Sequence, residues 1–154
     1  MIPAAIRASF AINILEDKDK QLLLLKRPPT AKLGAGLWGF PAGHIEEGET
    51  PLACSKRELY EEIGPGHEVK LLKSLGPIRD TFYGGMYEIT LFHYRWEGGE
   101  VVLNKEHTAF AWVTRDTYRE FAVMDGIDED IAYFDIWPRS FLNPDKLPRG
   151  QSSA

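Results

Sequence analysis

The sequence predicts a single α/β domain, and three observations predict it. Apolar residues alternate from Ile6 to Ile14, a helix with its own start and stop signals lies between Thr50 and Gly64, and strand-rich segments fill most of the second half before two late helical stretches. A chain of 154 residues suits one domain around one core and is too short for two of ordinary size. We expect that domain to span residues 1–142, with 143–154 a loose C-terminal tail that carries two prolines and a Gln-Ser-Ser stretch.

The elements follow in order. Ile6, Ala8, Phe10, Ile12 and Ile14 alternate with Arg7, Ser9 and Asn13, the period of a strand. The polar stretch Glu16 to Lys20 turns the chain into Gln21 to Lys26, whose four leucines predict a second strand covered on both faces and a hairpin with the first. Arg27 to Gly36 contains Pro28, Pro29, Gly34 and Gly36 and reads as a loop, and Leu37 to Pro41 as a short extended piece entering Gly43. Thr50 can cap the orphan amides of a helix whose first position, Pro51, needs no donor. Gly64 and Pro65 end it. Val69 to Leu75, Met86 to Trp96, Glu100 to Leu103 and Phe110 to Val113 have strand composition, with Gly84-Gly85 and Gly98-Gly99 expected as turns. Thr114 to Phe121 and Ile127 to Trp137 read as helical, with Asp128, Glu129 and Asp130 in a first turn where the helix dipole favours acids.

Composition narrows the function classes. Eighteen Lys and Arg against 23 Asp and Glu give a net charge of −5, the wrong sign for holding a phosphate backbone by charge alone, so nucleic acid is not expected as the main partner. Cys54 is the single cysteine, which excludes an intramolecular disulfide and a cysteine-based zinc cage and suits a reducing cytoplasm. The longest strictly aliphatic run, Leu22 to Leu25, is far short of a bilayer span, and the interrupted N-terminal apolar stretch lacks the basic region of a secretory leader, so neither membrane nor leader is expected.

The informative segment runs from Gly43 to Pro65. At about 100° per residue, Leu52, Leu59 and Ile63 fall within an arc of about 40°, a stripe able to pack on a sheet, while Glu58, Glu61 and Glu62 share the far side within about 100°. Arg57 precedes Glu61 by four residues and can pair with it. Two such carboxylates about 6 Å apart repel by roughly 3 kcal/mol at an effective dielectric near 20, and by only a few tenths on a fully solvated helix. Two readings therefore stand open. The acids form a solvated face with an Arg–Glu surface pair, or they line a cleft, where they must protonate or hold a divalent cation; oxygen donors favour magnesium or manganese over zinc.

The segment resembles the signature of the Nudix hydrolases, G-x5-E-x7-R-E-U-x-E-E-x-G-U, with U a bulky aliphatic residue. Gly43, Glu49, Arg57, Glu58, Leu59, Glu61, Glu62 and Gly64 match; Pro65 departs at the last position. The seven invariant-type positions would coincide by chance on the order of once in 10⁸ starting points. Trp38-Gly-Phe-Pro-Ala-Gly43 is similar to the strand leading into that box, with Ala42 where a second glycine is common. Glu106, six residues before Trp112, stands where some members supply a further metal-ligating glutamate.

The resemblance implies an α/β/α sandwich with a mixed central sheet. It implies an enzyme that cleaves the diphosphate of a nucleoside diphosphate linked to another moiety, by water attack at phosphorus, with Mg²⁺ or Mn²⁺ as cofactor, since divalent cations must neutralise the phosphate oxygens. On this reading Glu58 and Glu62 are metal ligands, with Glu61, the Gly43 carbonyl and Glu106 completing the set. The general base is Glu58 or Glu106, Arg57 orients the acids, and Glu49 braces the loop against the helix. Arg27 is expected on substrate phosphate. Tyr83, 18 positions after the box, is the place where a tyrosine is associated with dinucleoside polyphosphate hydrolases. Partners are then a small-molecule nucleotide and, as a family expectation, a second copy in a homodimer. His44 and His107 adjoin the proposed site and read as polar loop residues, and Cys54 as a small packing residue. A Nudix-fold module that senses a nucleotide without cleaving it is the alternative, and the retained carboxylates favour the enzyme. An EF-hand is set aside because no spaced Asp/Asn loop with a central glycine is present.

Overall fold

A computed structural model describes residues 5–147. Among them one seven-stranded sheet forms from β1 (Ala8–Glu16), β2 (Leu22–Lys26), β3 (Trp38–Gly39), β4 (Ala42–His44), β5 (His67–Arg79), β6 (Tyr87–Gly99) and β7 (Ala109–Val113). The path runs β3-β2-β1-β6-β5, with β4 paired to β1 and β7 to β2. The sheet is mixed: β1 lies parallel to β6 along its full length, from Ala8 opposite Tyr87 to Glu16 opposite Arg95, and the other pairs are antiparallel. The expected hairpin is present but narrow, pairing Glu16 with Leu22, because β1 spends its remaining edge on β4.

Both faces of the sheet are covered. The helix α1 (Pro51–Ile63) sets Cys54, Leu59 and Ile63 against Ala11, Leu15, Leu23, Leu25, Phe92 and Tyr94. On the other face α2 (Ile127–Tyr133) and the chain after it set Ile127, Ile131, Phe134, Trp137 and Leu142 against Ile14, Leu22, Leu24, Leu91 and Val113. The leucines of β2 thus alternate between two cores, as a doubly covered strand must. This is the expected α/β/α sandwich. The helix α1 begins and ends where its caps predict: the Thr50 side chain accepts the Ala53 amide at 3.1 Å, and Gly64 leaves at φ 85°, ψ 172°.

Several elements differ from expectation for identifiable reasons. Leu52 belongs to the exposed first turn of α1, and Cys54 and Ser55 take its place against the sheet. Gly98-Gly99 continues β6 opposite Glu68 and His67, where a Cβ on Gly99 would collide with the Gly66 carbonyl. Glu100 to Leu103 is not a strand; the Val102 amide donates to the Ile63 carbonyl at 2.9 Å, satisfying an orphan acceptor at the end of α1. Thr114 to Phe121 shrinks to a 3-10 turn at Tyr118–Glu120, since Thr114 Oγ1 takes the Thr117 amide locally. The last helix stops at Tyr133, because Asp135 adopts φ 53° and Trp137 is buried with its Nε1 donating to the Lys20 carbonyl. Of the segment expected as a loose tail, Asn143 donates its amide to Asp128 at 2.6 Å and Leu147 packs on the core; residues 148–154 lie outside the described residues. No helix among the described residues is long and apolar enough to cross a membrane.

Candidate active site

A cleft of about 860 Å³ opens where β4, α1, the loops after β2 and β5, the loop before β7 and the start of α2 meet. Helix α1 delivers its carboxylates into it. Leu59 and Ile63 fix the rotation of the helix by facing the sheet, which turns Glu58 and Glu62 toward β4. A buried polar network sets its position along the axis. Asn13 of β1 donates from Nδ2 to the Ser55 carbonyl at 3.3 Å and accepts the Ser55 hydroxyl at 2.5 Å, and the Tyr94 hydroxyl lies 2.6 Å from the same Ser55 oxygen. Asn13 is therefore fully buried rather than the solvent-facing half of an alternating strand.

Gly43 lies against Glu58 so closely that a Cβ there would overlap the Glu58 carboxyl group. The first glycine of the box is needed for this approach. Glu62, 3% exposed, accepts the Ala42 amide at 2.8 Å through Oε1, and His107 Nε2 stands 3.7 Å from Oε2. Burial, and next the charge of Glu58, push the Glu62 carboxyl up to about 9. Glu58, 8% exposed, is also raised, first by burial, although Arg57 opposes the shift. His107 is held down at about 4 by burial and then by the nearby Arg27 charge, so it is neutral at ordinary pH and its contact with Glu62 is not an ion pair. Its Nδ1 is buried without a partner among the described residues.

Arg57 organises the rim. Its Nε and Nη2 donate to the two oxygens of Glu49 at 2.7 and 3.0 Å, Nη1 donates to Glu58 Oε1 at 2.9 Å, and Nη2 also reaches the His44 carbonyl at 3.0 Å. Glu61 receives a longer contact of 3.3 Å and remains half exposed. The Arg57 hydrogen bond and the Glu46 amide hold the Glu49 carboxyl at about 2. Cys54 is buried, with a thiol pushed up to about 11 chiefly by that burial, and is a packing residue.

Gly43, Arg57, Glu58, Glu61, Glu62, Glu106, Arg27 and Tyr83 line this one cleft, and Glu49 stands behind Arg57. Glu106 is exposed on the loop before β7, with its amide on Asn104 Oδ1 at 3.0 Å, and its charge raises both Glu58 and Glu62. Arg27 is tied by Nε to the Leu33 carbonyl at 2.7 Å, and Tyr83 meets Tyr87 edge-on with centroids 5.7 Å apart. The donors are oxygens throughout, which suits a hard divalent cation, and a bound cation would offset the cost of ionising Glu58 and Glu62 together in this buried position. No trio of His, Cys, Asp or Glu among the described residues stands close enough to enclose an ion; Arg57 draws Glu58 aside and the Ala42 amide holds Glu62, so closing on a cation takes side-chain rotation.

Glu129 and Asp130, in the first turn of α2 as expected, also line the cleft, and both are buried. The sequence does carry a sign of this. Ile127, Ile131, Ala132, Phe134, Ile136 and Trp137 surround the three acids with apolar residues on all sides, so the acids cannot all face water.

Comparison with known proteins agrees with this arrangement. Residues 5–133 match the family model described as the NUDIX domain. Among curated relatives, the 8-oxo-dGTP diphosphatase of Proteus vulgaris is 41% identical over 54 residues, 35% of this chain and 47% of that protein. The RNA pyrophosphohydrolase of Bartonella bacilliformis is 37% identical over 82 residues, 44% of this chain and 48% of that protein. The chain thus spans about half the length of the curated relatives it matches. The crystal structure of a MutT protein from Methanosarcina mazei Go1 superposes with a TM-score of 0.72 at 18% identity, covering 87% of this chain and 96% of that one, which shows the fold. With the family model matching most of its length and the carboxylate-bearing helix set in the cleft, the chain belongs to the NUDIX family.

Proposed function

We propose that this chain is a divalent-metal-dependent pyrophosphohydrolase that cleaves a nucleoside diphosphate linked to another moiety, by water attack at phosphorus. One observation carries the reading: Glu58 and Glu62, one turn apart and both buried, face the same cleft, and Arg57 pairs with Glu58 while Glu62 has no Lys or Arg ion pair among the described residues. Ionising both members of such a buried pair is costly unless a cation enters. Nudix hydrolases generally use divalent metal ions, and the all-oxygen donor set favours Mg²⁺ or Mn²⁺. Glu58, Glu61, Glu62, Glu106 and the Gly43 carbonyl would hold it. When bound, the ion neutralises phosphate oxygens and acidifies water.

The chain's own residues do the rest. Arg57 and Glu49 keep the acids oriented, Glu58 or Glu106 accepts the proton of the attacking water, Arg27 meets substrate phosphate, and Tyr83 lies against the more distant part of the substrate. The acidic net charge of −5 favours a free nucleotide or nucleotide conjugate over the RNA named for some relatives. A cytoplasmic homodimer is the accompanying reading, and residues 1–142, with 143–147 packed on them, would form its domain. The test is turnover of nucleoside triphosphates, diadenosine polyphosphates, ADP-ribose and nucleotide sugars with Mg²⁺, with Mn²⁺ and with EDTA. Metal-dependent release of nucleoside monophosphate, phosphate or pyrophosphate is expected, abolished in Glu58→Gln and Glu62→Gln. Tight nucleotide binding with no product released would identify a sensing module instead.

A further inference from the structure

His107 reads from the sequence as a polar loop residue, yet it is 8% exposed and its ring stands beside Glu62 rather than in solvent. Two local bonds hold it there. The Glu106 amide donates to Asn104 Oδ1 at 3.0 Å in an Asx turn, and the Thr108 amide donates to the Lys26 carbonyl at 3.0 Å, where β7 begins to pair with β2. His107 is thus fixed between a turn and the first rung of a ladder. Its Nε2 lies 3.7 Å from Glu62 Oε2, while Nδ1 is buried with no partner among the described residues. A buried ring nitrogen left unpaired is destabilising, so packing alone would be served better by an apolar side chain here.

We propose that His107 is a positioning residue, donating from Nε2 to Glu62 Oε2 and so setting that carboxylate for a divalent cation. The inference rests on the reading of the α1 acids as a metal site. Glu62 Oε1 already accepts the Ala42 amide at 2.8 Å, so with His107 each oxygen has one donor from the protein and keeps acceptor capacity for a cation. A carboxylate that coordinates a cation only accepts, so the ring nitrogen facing it must carry the hydrogen. The present separation is roughly 1 Å longer than a charge-assisted N–H···O bond, a gap within reach of the side-chain rotation that closing on a cation requires. His107 is not itself a donor to the ion. Nδ1 is sealed from solvent and Nε2 is engaged with Glu62, which leaves neither nitrogen for coordination. Groups that hydrogen-bond a ligating carboxylate fix its orientation and thereby the affinity for the metal.

The test is Mn²⁺ binding without substrate, followed by electron paramagnetic resonance on the full chain, for the wild type, His107→Leu and His107→Gln. His107→Leu removes the donor together with the orphaned nitrogen at similar volume, and is expected to weaken Mn²⁺ binding about tenfold or more. His107→Gln, whose amide can donate to the same oxygen, should recover most of that loss. In EDTA the leucine variant should melt no lower than the wild type, because an unpaired buried polar atom has gone. Pulsed spectra of the bound Mn²⁺ should show no imidazole nitrogen coupling, and at saturating Mn²⁺ kcat of the leucine variant should fall by less than about tenfold. Equal affinity in the wild type and His107→Leu, or no recovery in His107→Gln, overturns the proposal. So does an affinity loss accompanied by a lower melting temperature in EDTA, which would make His107 a packing residue. A nitrogen coupling would make it a ligand, and a kcat loss of about 100-fold or more at saturating metal would make it the general base; either overturns the proposal as well. A wild type that binds no Mn²⁺ overturns this proposal and the metal reading together, whereas metal binding with no product released counts against the hydrolase reading alone.

Discussion

Arg57 and Glu49 form a two-point hydrogen-bonded pair, 2.7 and 3.0 Å, across the gap between the turn that follows β4 and the second turn of α1. Because the same guanidinium reaches Glu58 at 2.9 Å, the pair fixes one proposed metal ligand from behind. Replacing Arg57 by Lys keeps the charge but loses the planar fork. Arg57→Lys and Glu49→Gln are each expected to lower kcat by about 10- to 100-fold and to weaken metal affinity by a similar factor, with circular dichroism unchanged. Metal titration followed by steady-state kinetics checks this; kinetics matching the wild type would remove the pair from the mechanism.

Gly43→Ala tests the close approach to Glu58. The added methyl would occupy the space of the Glu58 carboxyl, the mobile end of a side chain, so that carboxyl swings away while the backbone stays. Activity is expected to fall by about 100-fold or more, the loss seen when a catalytic group is displaced by an ångström, with a melting temperature within a few degrees of the wild type. A variant that retains full turnover would show that Glu58 does not act from this position.

The legibility of the sequence varied with the kind of interaction. The helix α1 was readable because its signals are local: Thr50, Pro51 and Gly64 act within a few residues, and the structure starts and ends it there. The leucines of β2 likewise announced two covered faces. Non-local choices were not readable. Nothing near Asn13 indicates that its amide will bond Ser55 across 42 positions, and nothing near Val102 indicates that its amide will serve the Ile63 carbonyl rather than a strand. The acids of the box were identifiable by spacing, whereas the burial of Glu129 and Asp130 showed only indirectly, in the apolar residues around them.

Ser55 offers a test of how the fold positions the site. Its hydroxyl joins Asn13 and Tyr94 in a buried network, so Ser55→Ala leaves the Asn13 carbonyl and the Tyr94 hydroxyl without a partner. The expected cost is about 1–3 kcal/mol, read as a lower urea midpoint with an unchanged m-value. Because α1 is anchored to β1 and β6 through this network, kcat should fall several-fold while KM moves little. Unaltered stability would mean that water or a relaxed packing replaces the hydroxyl.

Glu62 gives the protein a pH dependence whose sign can be worked out. Its carboxyl sits at about 9 in the folded, metal-free protein against an ordinary 4.5, so folding takes up a proton between those values. Stability from this group is fully present below the unfolded value and is lost as pH rises through the folded one. Glu62→Gln keeps an acceptor for the Ala42 amide and cannot ionise. In EDTA it should therefore match the wild type near pH 4 and exceed it at pH 9, by about 1 kcal/mol or more. Adding Mg²⁺ should reverse the order at pH 8, raising the melting temperature of the wild type by mass action while leaving the variant unchanged. Thermal unfolding across pH with and without metal measures both effects. A variant less stable than the wild type in EDTA at pH 9 would show that Glu62 is ionised and well paired in the free protein.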